Sequence, residues 1–164
     1  MMAFTHTATG VFIGAAAALL SKASLSSTFL LLLGGLFGSL LPDLDHPKSW
    51  LGRRIPFISI PLSALVGHRG VTHSLFAIVA TLVGAYAGIA KWGGASAPLL
   101  LGVSIGYASH LLGDWASNSG IPLMWPKKRR YKSPIPFFTG SWEEKVLAYA
   151  MWIASFILTY HAIL

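Results

Sequence analysis

Residues 28–47 read TFLLLLGGLFGSLLPDLDHP, and this stretch decides how the rest of the chain is interpreted. Its first fourteen residues carry no charge and lack strict apolar–polar alternation, which indicates a membrane-spanning helix and not a barrel strand. The run is short for a span of roughly 20 residues, and the uncharged residues 25–27 extend it. Pro42 and Pro47 flank the aspartates and the histidine that follow, so we expect an irregular turn at the end of this helix.

Four further apolar segments resemble this one. The five segments are residues 4–20, 28–41, 71–89, 97–115 and 146–164. Only 10% of the chain is charged and 54% is apolar, whereas a soluble domain carries about 25% charged residues, so a soluble globule and a disordered chain are both excluded. The absence of cysteine excludes disulfides, thiolate metal sites and thiol catalysis. We predict an all-α, polytopic membrane bundle of about five helices that forms a single membrane-embedded domain over residues 1–164.

The basic residues are distributed unequally between the two ends of such a bundle. Two of them, Lys22 and Lys91, fall on one side, and ten fall on the side of the N-terminus: Lys48, Arg53, Arg54, Arg69, Lys127, Lys128, Arg129, Arg130, Lys132 and Lys145. The positive-inside rule therefore places the N-terminus in the cytoplasm. This distribution accounts for the net charge of +7 without a nucleic-acid partner. Residues 1–9 contain no Lys or Arg, so no cleaved signal peptide is expected.

The first two helix pairs show weak internal similarity at an offset of 67 residues. Thr5 and His6 align with Thr72 and His73, and Asp43 aligns with His110. Residues 1–46 and 71–117 are therefore candidate repeated halves, related by an axis along the membrane normal. Residues 118–143 would form a cytoplasmic loop before the last helix.

Five of the six histidines and all three aspartates lie in four short motifs, and the predicted topology puts all four motifs on the cytoplasmic side. The motifs are THT at 5–7, PDLDHP at 42–47, HRGVTHS at 68–74 and HLLGD at 110–114. His110 and Asp114 are four residues apart, so they leave the same face of a helix. Imidazole and carboxylate ligands suit zinc, with manganese or magnesium as alternatives. The predicted ligands of one to three ions are His6, Asp43, Asp45, His46, His68, His73, His110 and Asp114.

Simpler interpretations of these residues remain open at this point. Thr5 and Thr72 could be helix N-caps, and the aspartates of the turn could form ion pairs with Arg53, Arg54 or Arg69. His110 and Asp114 could be a buried hydrogen-bonded pair. Glu143 and Glu144, before the last helix, are expected to be interfacial charges, and His161 falls on the opposite side.

Arg69 stands between two candidate ligands, and its guanidinium group matches the geometry of phosphate oxygens. We therefore predict that it neutralises a phosphoryl group.

Together these motifs resemble the LexA-regulated, membrane-bound, metal-dependent hydrolase family. The resemblance rests on THT at 5–7, LPDLDH at 41–46, HRGVTHS at 68–74 and GYASHLLGD at 106–114, followed by Gly120 and Trp125-Pro126. It implies a metal-dependent hydrolase of a prokaryotic inner membrane that acts at the bilayer. We therefore predict cleavage of a lipid phosphoester, as by a phospholipase C or a lipid phosphatase. Asp45 would ligate metal, bridge two ions or act as the base toward water.

Two other functions compete with this prediction. A metal or ion transporter would use the same ionisable residues to bind its cargo. A non-catalytic membrane protein would use them for a structural metal. The expected partner is a membrane lipid, and the sequence does not indicate an oligomeric state.

Overall fold

The computed structural model describes residues 1–66, 70–127 and 129–164. Within these ranges it contains no β-strand, only two isolated bridges near residues 117–137. Its six α-helices are α1 (Ala3–Leu20), α2 (Leu25–Gly38), α3 (Pro56–Val66), α4 (Leu75–Trp92), α5 (Ala97–Ala116) and α6 (Trp142–Ile163). Short 3₁₀ turns cover Leu41–Asp45, Val71–His73 and Gly94–Ser96. The all-α prediction is confirmed.

Five helical segments are long and apolar enough to cross a membrane, as predicted. The second is Leu25–Asp45, in which α2 continues into the 3₁₀ turn. Its start at Leu25 confirms the predicted extension, because the Ser24 side chain accepts a hydrogen bond from the Ser27 N–H and caps the helix.

Two helices begin at positions that differ from the prediction, and one helix was not predicted. α4 begins at Leu75 and not at residue 71, because residues 71–73 form a separate 3₁₀ turn. α6 begins at Trp142, four residues early, because Ser141 caps it and two glutamates lie in its first turn, where the helix dipole favours negative charge. Helix α3 was not predicted; it is short and contains Pro61.

Glycines bring α1, α2 and α5 into backbone contact. A Cβ atom on Gly106 of α5 would lie 2.3 Å from the carbonyl oxygen of Gly35 in α2. The same distance separates a Cβ on Gly10 of α1 from that oxygen. Gly34 and Gly38, like Gly102 and Gly106, have the small-xxx-small spacing that lets membrane helices approach closely. These three helices form the tightly packed centre of the bundle.

The ends of the central helices place the predicted motifs together. His110, near the end of α5, contacts the carbonyl oxygen of Ser39, just past α2. The N–H of Leu75, where α4 starts, donates to the carbonyl oxygen of Leu123. We call this the site end of the bundle. Lys22 follows α1 and Lys91 lies in the last turn of α4, at the opposite end.

Candidate metal centre

His6 and His110 form the middle of the site. Their rings stack with centroids 3.6 Å apart and planes inclined by 6°. Both side chains are buried. Gly113 lies next to this pair, since a Cβ there would be in ordinary contact with the His6 ring, at 3.7 Å. The stacked pair therefore connects the start of α1 to the end of α5.

The tautomer of His110 follows from its backbone contact. Nδ1 lies 2.6 Å from the carbonyl oxygen of Ser39, which can only accept, so we assign the ring proton to Nδ1. In the neutral ring Nε2 then carries the lone pair. This atom is buried and has no hydrogen-bond partner among the described residues. It lies 3.9 Å from Asp43 Oδ1 and 3.8 Å from Asp114 Oδ2. Fixing the second ring nitrogen in this way is typical of metal-ligating histidines.

His73 is oriented by a second set of contacts. The Thr72 hydroxyl donates to Asp45 Oδ2 and lies 3.1 Å from His73 Nδ1. Because the hydroxyl proton is directed to the carboxylate, we assign the ring proton of His73 to Nδ1, which donates to the hydroxyl oxygen, and the lone pair to Nε2. That atom lies 3.6 Å from Asp114 Oδ2. Tyr107 donates to the Thr72 carbonyl oxygen at 2.6 Å and holds this segment against α5.

Asp114 lies at the centre of these groups. Its Oδ1 is 3.4 Å from His6 Nε2 and 2.7 Å from the amino group of Met1. A buried carboxylate needs a positive or hydrogen-bonding partner, and here the Met1 ammonium group and the three imidazoles surround it.

The 3₁₀ turn brings two carboxylates to the same place with different exposure. Pro42, near its start, fixes the backbone for the turn. Asp45 is fully buried, whereas the Asp43 side chain keeps 16% of its surface accessible. Ser49 donates to the Asp43 carbonyl oxygen at 2.8 Å and closes the loop behind it. Asp43 is therefore the more solvent-accessible of the two carboxylates.

Two groups of side chains in the described part of the chain have the geometry for a metal ion. We call them the two donor groups. The first consists of His6, Asp43 and His110, and the second of His73, His110 and Asp114. Within each group, one ligand atom per residue lies within 4.8 Å of the others. His110 belongs to both, so one imidazole joins the two groups.

A family comparison agrees with this architecture. The family model described as YdjM inner membrane protein matches residues 1–163. The chain belongs to the YdjM family. It is therefore an inner membrane protein.

Relatives of this YdjM family member occur in several bacteria. The inner membrane proteins YdjM of Escherichia coli (strain K12) and Shigella flexneri are each 46% identical to it over 96 residues, which is 58% of this chain and 49% of theirs. The matched region thus spans about half the length of those relatives. YvsG of Bacillus subtilis (strain 168), described as uncharacterized, is 32% identical over 136 residues, 77% of this chain and 78% of its own. No solved structure matches significantly.

The remaining histidines of this YdjM protein, and Arg69, are not among the residues of the two donor groups. His46 directly follows the 3₁₀ turn and is half-buried, and it belongs to neither donor group found among the described residues. His68 and Arg69 lie outside the described residues. His161 is exposed in the last turn of α6, far along the helix from the site end.

The N-cap interpretation is wrong. The residue at the N-cap of α1 is Met2 and not Thr5, and that of α4 is Ser74 and not Thr72. Arg54, considered as an ion-pair partner for the turn, is exposed and donates to the Trp50 carbonyl oxygen at 2.8 Å.

Glu144 was wrongly expected to be an interfacial charge. It is fully buried and accepts hydrogen bonds from the backbone N–H groups of Met2, at 2.7 Å, and Gly140, at 2.6 Å. The sequence contained a signal for this, because Ser141 and Glu144 have the spacing of a capping box. Glu144 thus joins α6 to Met2, which precedes α1 and lies four residues before His6. Glu143 is exposed, as expected.

We predict that Glu144→Gln lowers the stability of the bundle by about 2 kcal/mol, since hydrogen bonds to a charged group contribute about 1.5–3 kcal/mol each. Glutamine keeps one acceptor oxygen and turns its NH₂ group toward a second donor. Thermal unfolding in one detergent measures the change. Glu143→Gln removes the same charge from an exposed neighbour and should leave the midpoint nearly unchanged. Equal midpoints for the two variants would contradict the proposed role of Glu144.

Proposed function

We propose that this YdjM family member is a metal-dependent hydrolase that cleaves a phosphoester of a membrane lipid at the cytoplasmic face. The observation that carries the proposal is the meeting of His6, Asp43, His73, His110 and Asp114 at one end of the bundle. Ionisable side chains are costly inside a membrane and are usually retained there for function. The distribution of basic residues favours a cytoplasmic site end, since Lys22 and Lys91 lie opposite it.

The side chains at this site fit a divalent cation. The lone pair of His110 Nε2 is buried beside two carboxylates, and His6 Nδ1 is likewise buried without a hydrogen-bond partner among the described residues. Buried polar atoms of this kind need a partner. Imidazole and carboxylate donors suit zinc best, and manganese or magnesium are alternatives. The two donor groups could hold two ions, within the predicted range of one to three.

The roles of the protein's own residues follow from their contacts. A divalent ion bound here would polarise a phosphoryl oxygen and make a water molecule acidic enough to react near neutral pH. Asp45 is held by the Thr72 hydroxyl and is placed to accept a proton from such a water. Asp43, the accessible carboxylate, marks the side from which substrate approaches. Arg69 keeps its predicted role of neutralising the phosphoryl group.

A structural metal site is the second candidate, and burial is the observation that favours it. His6, His73, His110 and Asp114 are almost completely buried, as in closed structural sites. A transporter is less well supported, because the cluster lies at helix ends and not near the middle of the spans.

The first test combines elemental analysis with a hydrolysis screen. We expect the purified full chain to contain zinc or manganese and to release phosphate or a phosphorylated headgroup from phospholipid vesicles. Asp45→Asn should lower the rate by at least about 100-fold, the usual effect of losing a general base. Glu143→Gln, at an exposed acidic position outside the site, is the control.

The outcomes separate the candidates. If Asp45→Asn loses activity but keeps its metal, Asp45 is the base. If the variant loses both activity and metal, Asp45 is a ligand. Bound metal without hydrolysis of any phospholipid, lipid phosphate or nucleotide supports the structural site. Negligible metal in the wild-type protein overturns both the hydrolase and the structural metal site.

A further inference from the structure

An apolar groove lies at the site end of the bundle, and none of its lining residues belongs to the donor groups. The first two turns of α4 form one wall, through Leu75, Phe76 and Val79, and the loop after α5 forms the other, through Met124 and Trp125. The groove has a volume of about 530 Å³, within the range of ligand-binding pockets. Its wall side chains are all exposed, from 41% for Trp125 to 60% for Phe76.

The two walls of the groove are fixed to each other. The Leu75 N–H donates to the Leu123 carbonyl oxygen at 2.9 Å. The rings of Phe76 and Trp125 pack edge to face, with centroids 6.4 Å apart. Both contacts join α4 to the loop, so the groove has a defined shape and is not an accidental gap between mobile side chains.

The rim of the groove carries positive charge. Lys127 and Tyr131 line it directly. The Arg129 guanidinium lies 5.4 Å from the centre of the Tyr131 ring, and both basic side chains are exposed. Residues 127–132 include five basic residues and no acidic one. An apolar wall that ends in a basic rim is complementary to a lipid with an apolar chain and an anionic headgroup.

The groove also lies at the depth where such a lipid would place its phosphate. α4 is a candidate membrane span that begins at Leu75, so the groove covers the outermost turns of the span. Trp125 and Tyr131 are side-chain types that concentrate at the level of the headgroups. Lys127 can extend its charged end to that level while its methylene groups stay on the apolar wall.

We propose that this groove is a binding site for an anionic phospholipid. One acyl chain lies along Phe76, Val79 and Met124, and the phosphate is bound by Lys127 and Arg129. The site is separate from the metal-binding residues, and the proposal does not depend on hydrolase activity.

The test uses the full chain in nanodiscs that contain equal amounts of phosphatidylglycerol and phosphatidylcholine, followed by native mass spectrometry. We expect the first retained lipid on the wild type to be phosphatidylglycerol, favoured by about 30-fold. This corresponds to about 2 kcal/mol for two basic residues at a membrane surface. Lys127→Gln combined with Arg129→Gln should bring the preference close to unity. Lys22→Gln combined with Lys91→Gln, at the opposite end, should leave it unchanged.

Two matched substitutions on α4 test whether lipid binds in the groove itself. Val79→Trp should fill the space along the helix and lower the retained lipid about tenfold, whereas Val83→Trp, also exposed but outside the groove, should not. Circular dichroism and size exclusion establish that the variants fold. Equal retention by the two tryptophan variants, a wild type without headgroup preference, or a rim variant that keeps the preference would each overturn the proposal.

Discussion

Replacing His110 with alanine is expected to weaken zinc binding by at least about 100-fold. Loss of a residue that only supports a ligand costs about 10–100-fold in metal affinity, and His110 belongs to both donor groups. Its Nε2 is directed at Asp43 and Asp114, while Nδ1 is already committed to the Ser39 carbonyl oxygen. No other described side chain contributes to both groups. Competition with a chelator of known affinity measures the change.

The metal-dependent stability of the same variant gives a second measurement. Wild-type protein should gain stability when zinc is added, by the free energy of binding, and His110→Ala should lose most of that gain. Comparing the two proteins without metal separates this effect from the loss of the Ser39 contact. His161→Ala removes an exposed imidazole at the end of α6 and should behave as wild type. Wild-type zinc affinity in His110→Ala would disprove the assigned metal centre.

Replacing Gly106 with valine is expected to destabilise the bundle by at least about 3 kcal/mol, the upper part of the usual cost of overpacking. The added Cβ would lie 2.3 Å from the Gly35 carbonyl oxygen and 2.9 Å from the Gly35 Cα atom. These are backbone atoms, so no rotamer change can relieve the clash, and α2 and α5 must separate. Because His110 is one turn further along α5, its contact with Ser39 should be lost as well.

Gly84→Val is the matched control for this substitution. Gly84 is also in the interior of a candidate spanning helix, α4, but a Cβ there meets no atom within 4 Å. Both substitutions change helix propensity in the same way, so the difference between them measures packing alone. Unfolding in a titration of denaturing detergent compares the two variants. Similar stabilities would show that α2 and α5 do not pack as described.

Hydropathy was sufficient to predict the five spans, because a segment in lipid must satisfy its own backbone and must be apolar over its length. Boundaries were less predictable. The early start of α6 depends on Ser141 and Glu144, and the late start of α4 depends on the turn that holds His73. Helix α3 is apolar but too short for a span and contains Pro61, so the length expected of a spanning helix did not predict it.

The sequence also predicted that the histidines and aspartates would gather at one end, since helix order and loop charge determine which ends face the same side. The contacts that orient these side chains could not be predicted from the sequence. The bond from His110 to Ser39 and the chain from Tyr107 through Thr72 to Asp45 join residues 27 to 71 positions apart. Such contacts depend on how closely glycine-rich helices pack, which composition alone does not specify.

The shortness of α2 has a consequence for which molecules could reach this site. Fourteen residues of α-helix rise only about 21 Å, and the five residues of the 3₁₀ turn add about 10 Å, so the two together just match a hydrocarbon core of about 30 Å. With Leu25 at one boundary of the apolar layer, Asp43 and Asp45 would lie at the other boundary and not beyond it. A lipid already in that layer would arrive by lateral diffusion, whereas a water-soluble ester would first have to leave bulk water. The bilayer would thus select substrates by partitioning, before any side chain contacts them.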